Sequence, residues 1–203
     1  MIDVQEHFYD DNPKQGHPDV RTRLKDVNYF FLGNGHIQAA VQIALSGEGT
    51  PLGLLILKPD RLGKKREALT MNPETGLEAS MIYFADHNST ETVVPQTLRA
   101  GWLNDYHVPT VKVTWQSKSF QVTELFYCPD LVNPVLIREI HIKNMAQINL
   151  AAALKTGVLD EEIEIDLPLD RNEETKIFLR YSLDRVYKHV QLDPVGHYKI
   201  SDD

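Results

Sequence analysis

The feature that most limits the folds open to this chain is the alternation of apolar and polar residues along much of its length. Val111, Val113 and Trp115 alternate with polar neighbours, and Phe120 and Val122 begin the same pattern after the polar segment QSKS. A period of two places every second side chain on one face of an extended strand. The segment therefore predicts a hairpin of two half-buried strands.

Further strands are indicated along the rest of the chain. The segments with strand character are LEASMIYF after the turn NPETG at 72–76, PVLIREIHIKN, EEIEIDLPL, KIFLRYSL, VYKHVQL and HYKI. Helical spacing is scarce: Val20, Leu24 and Val27 show it, and INLAAALK is ambiguous. Strands at intervals of about 8 to 12 residues are typical of a sandwich or barrel. We therefore predict an all-β fold, a large antiparallel β-sandwich with few short helices, formed as a single domain over residues 1–203.

The stretch FFLGNGHIQAAVQIAL, residues 30–45, allows two interpretations. Gly33 and Gly35 could belong to the Gly-x-Gly-x-x-Gly turn of a dinucleotide fold, but the third position is Gln38, whose bulk obstructs close helix packing. The alternating apolar residues after Gly35 indicate a strand instead. Asn-Gly is also the strongest short signal for a two-residue turn with positive φ at both central residues. We predict that hairpin, centred on Asn34 and Gly35.

The charge balance argues against nucleic acid as a partner. The chain has 21 Lys and Arg and 29 Asp and Glu, a net charge of −8, whereas phosphate binding needs a basic surface. Cys128 is the only cysteine, which favours a reducing compartment, and the N-terminus lacks a signal-peptide pattern. The most apolar run, LGLLIL, is too short to cross a bilayer. These features predict a cytoplasmic protein with neither nucleic-acid nor membrane partners.

One stretch without strand alternation combines aromatic and hydrogen-bonding side chains. AGWLNDYHVPT, residues 100–110, contains Trp102, Asn104, Asp105, Tyr106 and His107. Sugar sites use aromatic faces for C–H surfaces and planar polar groups for hydroxyls. We interpret the stretch as an exposed loop and these residues as candidate carbohydrate ligands. The alternative is that Trp102 packs beneath its own loop.

Other chemistry finds little support in the sequence. The acids of DEEIEID, residues 160–166, alternate with isoleucines, so we expect them to form the solvated face of a strand, with a weak calcium site as the alternative. The histidines show no metal-ligand spacing, and no Gly-x-Ser-x-Gly elbow is present. Cys128 is expected to be a buried, inert thiol. We predict neither a metal nor a cofactor.

The LGNG turn at 32–35, the following GTPLGLLIL and the strand PVLIREIHIKN resemble a known β-sandwich. The β-sandwich that they resemble is the N-terminal domain of glycoside hydrolases and sugar phosphorylases that carry an (α/α)6 catalytic barrel. Bacterial glucoamylase-like and maltose-phosphorylase-like enzymes belong to this family, and the sandwich is a supersandwich of the galactose-mutarotase-like type. The resemblance runs from residue 28 to residue 155.

The resemblance implies a domain without the chemistry, because the catalytic carboxylates of such enzymes lie on the barrel. The chain would then be part of a longer enzyme acting on glucosides, with an oligosaccharide and a C-terminal catalytic barrel as partners. Asn34 and His36 would lie at the interface with the barrel; the alternative is that they serve only the turn. The doubly apolar runs LGLLIL and PVLI are candidates either for a surface that the barrel covers or for central strands.

Three other functions remain open from the sequence. A stand-alone carbohydrate-binding module would use the stretch at 100–110. An aldose-epimerase-like sandwich enzyme would use a His and a Glu to open and close a sugar ring, but no motif for it can be placed on particular residues. A plain interaction domain would present an exposed apolar patch without pockets.

Overall fold

The computed structural model describes residues 27–44, 51–57, 80–86, 89–103, 108–158, 161–184 and 189–200. The NPETG turn at 72–76 and the helical spacing of Val20 and Leu24 lie outside these residues. Within them, the one helical element is a short 3-10 turn, Pro95–Thr97. No helix in these ranges has the length and apolar character needed to cross a membrane.

Thirteen strands account for most of the described residues. They are β1 Val27–Gly33, β2 Gln38–Ala44, β3 Leu52–Leu57, β4 Tyr83–Ala85, β5 Thr90–Glu91, β6 Arg99–Leu103, β7 Thr110–Gln116, β8 Phe120–Tyr127, β9 Val135–Asn144, β10 Leu150–Val158, β11 Glu161–Leu169, β12 Glu174–Leu183 and β13 Val190–Ile200. Every pairing between them is antiparallel. The predicted all-β class is confirmed.

The strands form three sheets that share one core. The sheet orders are β1-β2-β3, β11-β10-β4-β5 and β13-β12-β9-β8-β7-β6. The six-stranded sheet contacts β1 of the first sheet and both β10 and β11 of the second. Buried apolar residues from all three sheets belong to a single cluster. This is a sandwich-like arrangement, in which each sheet buries one face against another.

The predicted hairpin at the centre of the chain is confirmed by the pairing of β7 with β8. Val111, Val113 and Trp115 are buried, as are Phe120 and Val122 on the neighbouring strand. The register pairs Trp115 with Val122, so both sets lie on the same face of the six-stranded sheet. Phe84 of the four-stranded sheet packs against this face, with its ring centroid 4.2 Å from that of Phe120.

The structure resolves one ambiguous segment and corrects the boundaries of two predicted strands. INLAAALK is strand β10, because pairing with β11 on one side and β4 on the other satisfies its backbone despite the helical propensity of alanine. VYKHVQL and HYKI were expected as separate strands, but the described parts of both belong to β13. The register shifts between Phe178 and Leu179, where an extra residue in β13 forms a bulge.

The LGLLIL run is β3, and residues 52–56 are buried. Both faces of this strand are therefore covered within the chain, so the run is not an exposed outer surface. PVLI differs, since Leu136 is fully buried while Val135 and Ile137 beside it are only partly so. The sequence interpretation left this choice open because a run of apolar residues fits both situations.

A buried ion pair lies in the middle of the core face of the six-stranded sheet. Arg138 Nε donates to Glu124 Oε2 at 2.6 Å, and both side chains are almost completely buried. Trp115 Nε1 donates to the other carboxylate oxygen of Glu124 at 2.5 Å. Arg138 Nη1 donates to the Ser80 carbonyl oxygen at 2.6 Å and to the Tyr181 hydroxyl at 3.2 Å. All these charges and dipoles have partners, as burial demands.

This buried network affects the pKa values of Arg138 and Tyr181. Burial would lower the pKa of the Arg138 guanidinium, but the charge of Glu124 outweighs it, so the pKa of Arg138 is raised. Burial raises the pKa of the Tyr181 hydroxyl, so this group stays neutral and accepts the hydrogen bond from Arg138. The Arg138 guanidinium is therefore a fixed positive charge in the core.

Replacement of Arg138 by methionine should be strongly destabilising, because it leaves the Glu124 carboxylate buried without its counter-charge. We expect a loss of about 3 to 5 kcal/mol in the free energy of unfolding, measured by urea denaturation. The double variant Glu124→Gln/Arg138→Met should recover part of this loss, since no buried charge remains. Equal losses in the single and double variants would contradict this explanation. Lys155→Met, which breaks the surface pair with Glu164, serves as the control and should leave the transition midpoint unchanged.

Gln42 is an exception to the pairing of buried polar groups. It lies on β2 between Tyr29 of β1 and Gly53 of β3 and is fully buried. Neither of its amide atoms has a hydrogen-bond partner among the residues that the structure describes. Its face of the three-stranded sheet also buries Ala40 and Leu55, which lie outside the main hydrophobic cluster. An unpaired buried amide reduces stability.

Gln42→Met should therefore stabilise the chain, because methionine has a similar shape and needs no hydrogen bond. We expect the free energy of unfolding to rise by roughly 1 to 2 kcal/mol in urea denaturation. The same substitution at Gln121, an exposed residue of β8, is the control and should change little. A loss of stability in Gln42→Met would show that the amide is paired in solution.

Candidate functional site

Trp102, the leading aromatic candidate for sugar binding, lies in a strand. Residues 99–103 form β6 at the edge of the six-stranded sheet, where Trp102 pairs with Val111. The prediction of an exposed loop over this part of the stretch is therefore wrong. RAGWL lacks polar and apolar alternation because the strand is an edge that buries little on either face. Asn104, Asp105, Tyr106 and His107 lie outside the described residues.

About half of the Trp102 surface is exposed. Its ring packs edge-on against Phe30 of β1, with centroids 6.1 Å apart and an interplanar angle of 69°. Trp102 thus joins the edge of the six-stranded sheet to the three-stranded sheet. The contact gives the residue a structural role, and the exposed remainder of the indole is still able to stack on a ligand.

The hairpin at Gly33, Asn34 and Gly35 is present, but its turn differs from the prediction. The register pairs Gly33 with Gln38, so the loop has four residues, 34–37, rather than two. Only Gly35 has a positive φ, of 85°. The Asn34 side chain closes the loop, because its Oδ1 accepts hydrogen bonds from the amides of His36 and Ile37 at 3.0 and 3.1 Å.

The other end of the Asn34 amide reaches a distant segment. Its Nδ2 donates to the carbonyl oxygens of Asp130 and Asn133, both at 2.7 Å. The hairpin loop is thereby attached to the connection between β8 and β9, about a hundred residues further along the chain. The interface role predicted for Asn34 stays a prediction, and the contact that the structure shows for its side chain is intramolecular. His36 is only partly buried.

The connection between β8 and β9 is organised by Asp130. Its Oδ1 accepts hydrogen bonds from the amides of Val132 and Asn133, and its Oδ2 accepts one from the Asn133 side chain. The amide and side chain of Asn133, followed by the amide of Val132, hold the pKa of the Asp130 carboxyl below its ordinary value of 3.8. The carboxylate is therefore charged at neutral pH and holds the connection through these three hydrogen bonds.

Leu131 and Val132 project from this ordered connection. They are 79% and 72% exposed, higher than the other large apolar residues among the described ranges. We refer to these two residues as the apolar tip. Two adjacent, highly exposed apolar side chains on a hydrogen-bonded connection form a small apolar patch, which is a candidate contact site.

Cys128 precedes the apolar tip and is buried. Burial, followed by the negative charge of Asp130, raises the pKa of its thiol to about 11. The nucleophilic thiolate is therefore scarce at neutral pH. The expectation of an inert, buried thiol agrees with this environment.

Three acidic residues of β11 lie on one solvent-facing side of the strand. Glu162, Glu164 and Asp166 are exposed, and Leu167 after them is buried. Glu164 forms a surface ion pair with Lys155 at 3.0 Å. Among the residues that the structure describes, no group of three or more His, Cys, Asp or Glu is arranged to hold a metal ion.

A cleft beside β4 and β5 has a carboxylate in its wall. Glu91 accepts hydrogen bonds from the Ser117 and Ser119 hydroxyls and from the Ser119 amide, at 2.6 to 2.9 Å. Both of its oxygens are thus used to hold the turn between β7 and β8. Glu91 has a structural role in this cleft.

The sequence interpretation missed one group of side chains on the outer face of the six-stranded sheet. His141 Nε2 lies 2.6 Å from Glu139 Oε1, and Lys176 Nζ lies 3.5 Å from the same oxygen. We call Glu139, His141 and Lys176 the outer-face cluster. The alternation in PVLIREIHIKN places Glu139 and His141 on one face of β9, but the position of Lys176 follows only from the pairing of β9 with β12.

Asn34→Asp tests the attachment of the hairpin loop to the β8–β9 connection. Aspartate keeps the acceptor for the His36 and Ile37 amides but removes both donated hydrogen bonds and adds a charge beside two carbonyl oxygens. We expect a loss of about 1 to 3 kcal/mol in the free energy of unfolding and faster hydrogen exchange at Val132 and Asn133.

Asn149→Asp is the matched control for Asn34→Asp. The Asn149 side chain accepts a hydrogen bond from the Arg171 amide through Oδ1, which aspartate can also do. This variant should therefore leave both stability and exchange in the connection unchanged. Equal effects of the two substitutions would contradict the role assigned to the Asn34 donor.

Comparison of the chain with protein-family models, curated proteins and solved structures finds no significant match. The resemblance seen in the LGNG turn and the PVLIREIHIKN strand stays a prediction. The structural features from which a function can be inferred are therefore the apolar tip, Trp102 on the edge strand β6 and the outer-face cluster.

Proposed function

We propose that the chain is a non-catalytic β-sandwich domain of a carbohydrate-active enzyme, a glycoside hydrolase or phosphorylase acting on glucosides. In this proposal the sandwich packs against a separate catalytic barrel of the same protein. The observation that carries the proposal is the apolar tip, Leu131 and Val132, which is held in water by a connection with many hydrogen bonds. The sequence resemblance adds the class of enzyme.

The apolar tip has the properties of a preorganised contact. Asp130 orders the connection from within, and Asn34 attaches it to the first hairpin of the chain. Little conformational entropy is lost when such a loop binds, so the burial of Leu131 and Val132 contributes more fully to association. His36 lies in the loop that Asn34 closes, which makes the first hairpin the neighbouring part of the proposed interface.

The chemistry of the described residues is compatible with a non-catalytic role. The Cys128 thiol is buried and its pKa is raised. The carboxylate of Glu124 is neutralised by Arg138, and that of Glu91 is used by Ser117 and Ser119. These groups are engaged in holding the fold, which leaves the barrel as the proposed source of catalytic carboxylates.

The proposal is tested in the protein encoded by the whole natural reading frame. Leu131→Asp places a charge in the proposed interface, so it should lower the melting temperature and the activity on gluco-oligosaccharides. The same substitution in the 203-residue chain should not change the unfolding midpoint, because Leu131 is already exposed. Differential scanning calorimetry and a glucose-release or phosphate-consumption assay measure both effects.

Ile148→Asp is the matched control, because Ile148 is also an exposed apolar loop residue but lies at the other end of β9. It should leave the whole protein unaffected. Equal behaviour of the two variants, or a reading frame without a further domain, would overturn the proposal. Acceleration of glucose mutarotation by the 203-residue chain would also overturn it, since the domain would then be an enzyme.

A further inference from the structure

The outer face of the six-stranded sheet contains a carboxylate with unused hydrogen-bonding capacity. The Glu139 side chain is only 9% exposed, and its Oε1 receives the contacts from both His141 and Lys176. Its Oε2 makes no hydrogen bond to the residues that the structure describes. A half-used, largely buried carboxylate can accept hydrogen bonds from a ligand at little desolvation cost.

Aromatic side chains form a wall beside this carboxylate. Phe178 pairs with Glu139 across β9 and β12, and the ring of Tyr198 contacts Phe178 edge-on with centroids 5.9 Å apart. Tyr198 is 60% exposed. A Cβ at Gly196 would lie 2.6 Å from Tyr198 Cε2, so the ring lies over the glycine backbone and a larger residue at position 196 would displace it. Tyr198 therefore rests on Phe178 and Gly196, with much of its surface open to solvent.

The charges on this face are largely neutralised. Lys143 pairs with Glu174 at 2.7 Å, Arg180 pairs with Asp193 at 2.8 Å, and Lys176 lies 3.5 Å from Glu139. Paired charges offer a weak field to an ionic ligand but still provide directional donors and acceptors. The face is thus suited to a neutral ligand with many hydroxyls.

We propose that the outer-face cluster and the Phe178–Tyr198 wall form a binding site for one pyranose unit of a neutral oligosaccharide. Hydroxyls of the sugar donate to Glu139 Oε2 and accept from Lys176, while its C–H face packs on Tyr198. Aromatic stacking with a few placed polar groups is the usual basis of such sites. This inference rests on the proposed function for its ligand class and assigns a sugar site distinct from Trp102.

The test is titration of the 203-residue chain with maltotriose and cellotriose, followed by calorimetry and saturation-transfer NMR. We expect one of them to bind with a dissociation constant on the order of 1 mM or tighter. Glu139→Gln and Tyr198→Ala should each weaken this binding by about tenfold or more, since each removes one of the two kinds of contact. Gly196→Ala should weaken it as well, because it displaces the Tyr198 ring without removing a ligand contact.

A thermal melt of each variant shows whether it is folded, and two control variants show whether the loss of binding is specific to the proposed site. Glu162→Gln, at an exposed glutamate of β11, and Trp102→Ala, at the edge strand, should bind as the unmodified chain does. The proposal is overturned if neither trisaccharide binds, if Trp102→Ala abolishes binding while Glu139→Gln and Tyr198→Ala do not, or if inorganic phosphate binds instead at Lys176.

The outcome also separates this inference from the proposed function. Leu131→Asp should leave sugar binding unchanged, because the apolar tip lies in the connection before β9, outside the cluster. Loss of domain packing in Leu131→Asp without any sugar binding would overturn the site and leave the domain assignment standing. Sugar binding at Glu139 in a protein that has no further domain would support the site and overturn the assignment.

Discussion

The three sheets of this protein depend on one buried arginine. Arg138 neutralises Glu124 within the six-stranded sheet and donates to the Ser80 carbonyl next to the four-stranded sheet. The Ser80 hydroxyl in turn accepts a hydrogen bond from the Leu54 amide of β3. Because a charge in the core is tolerated only when all its partners are in place, this network requires one relative position of the sheets.

Because the inner face of the six-stranded sheet is buried in the core, the surfaces available for binding are the connections between strands and the outer face of that sheet. The connection between β8 and β9 carries the apolar tip, and Asn34 attaches it to the first hairpin. The outer face provides Glu139 between a cation and an aromatic wall. Both surfaces are rigid because they belong to, or are bonded to, strands whose inner sides are packed in the core. The domain we propose is therefore a scaffold with two contact surfaces.

Much of the fold could be predicted from residue patterns. The hairpin at QSKS and the strands PVLIREIHIKN and KIFLRYSL follow from alternation, since the burial of one face demands it. The errors occur where alternation is weak. RAGWL is an edge strand, and the turn at Asn34 uses a side-chain oxygen instead of a left-handed asparagine. Of the site, Asn34 and Trp102 could be selected by residue type, but their contacts could not.

The sequence by itself determined which side chains face inward along the strands with clear alternation, because a period of two is a local property of the backbone. It therefore determined the all-β class and the core position of residues such as Val111 and Trp115. Only the tertiary structure decided which strands are neighbours. Lys176 meets Glu139, and Asn34 meets Asp130, through pairings between segments far apart in the chain. No local pattern encodes such contacts, because they follow from the packing of the whole core.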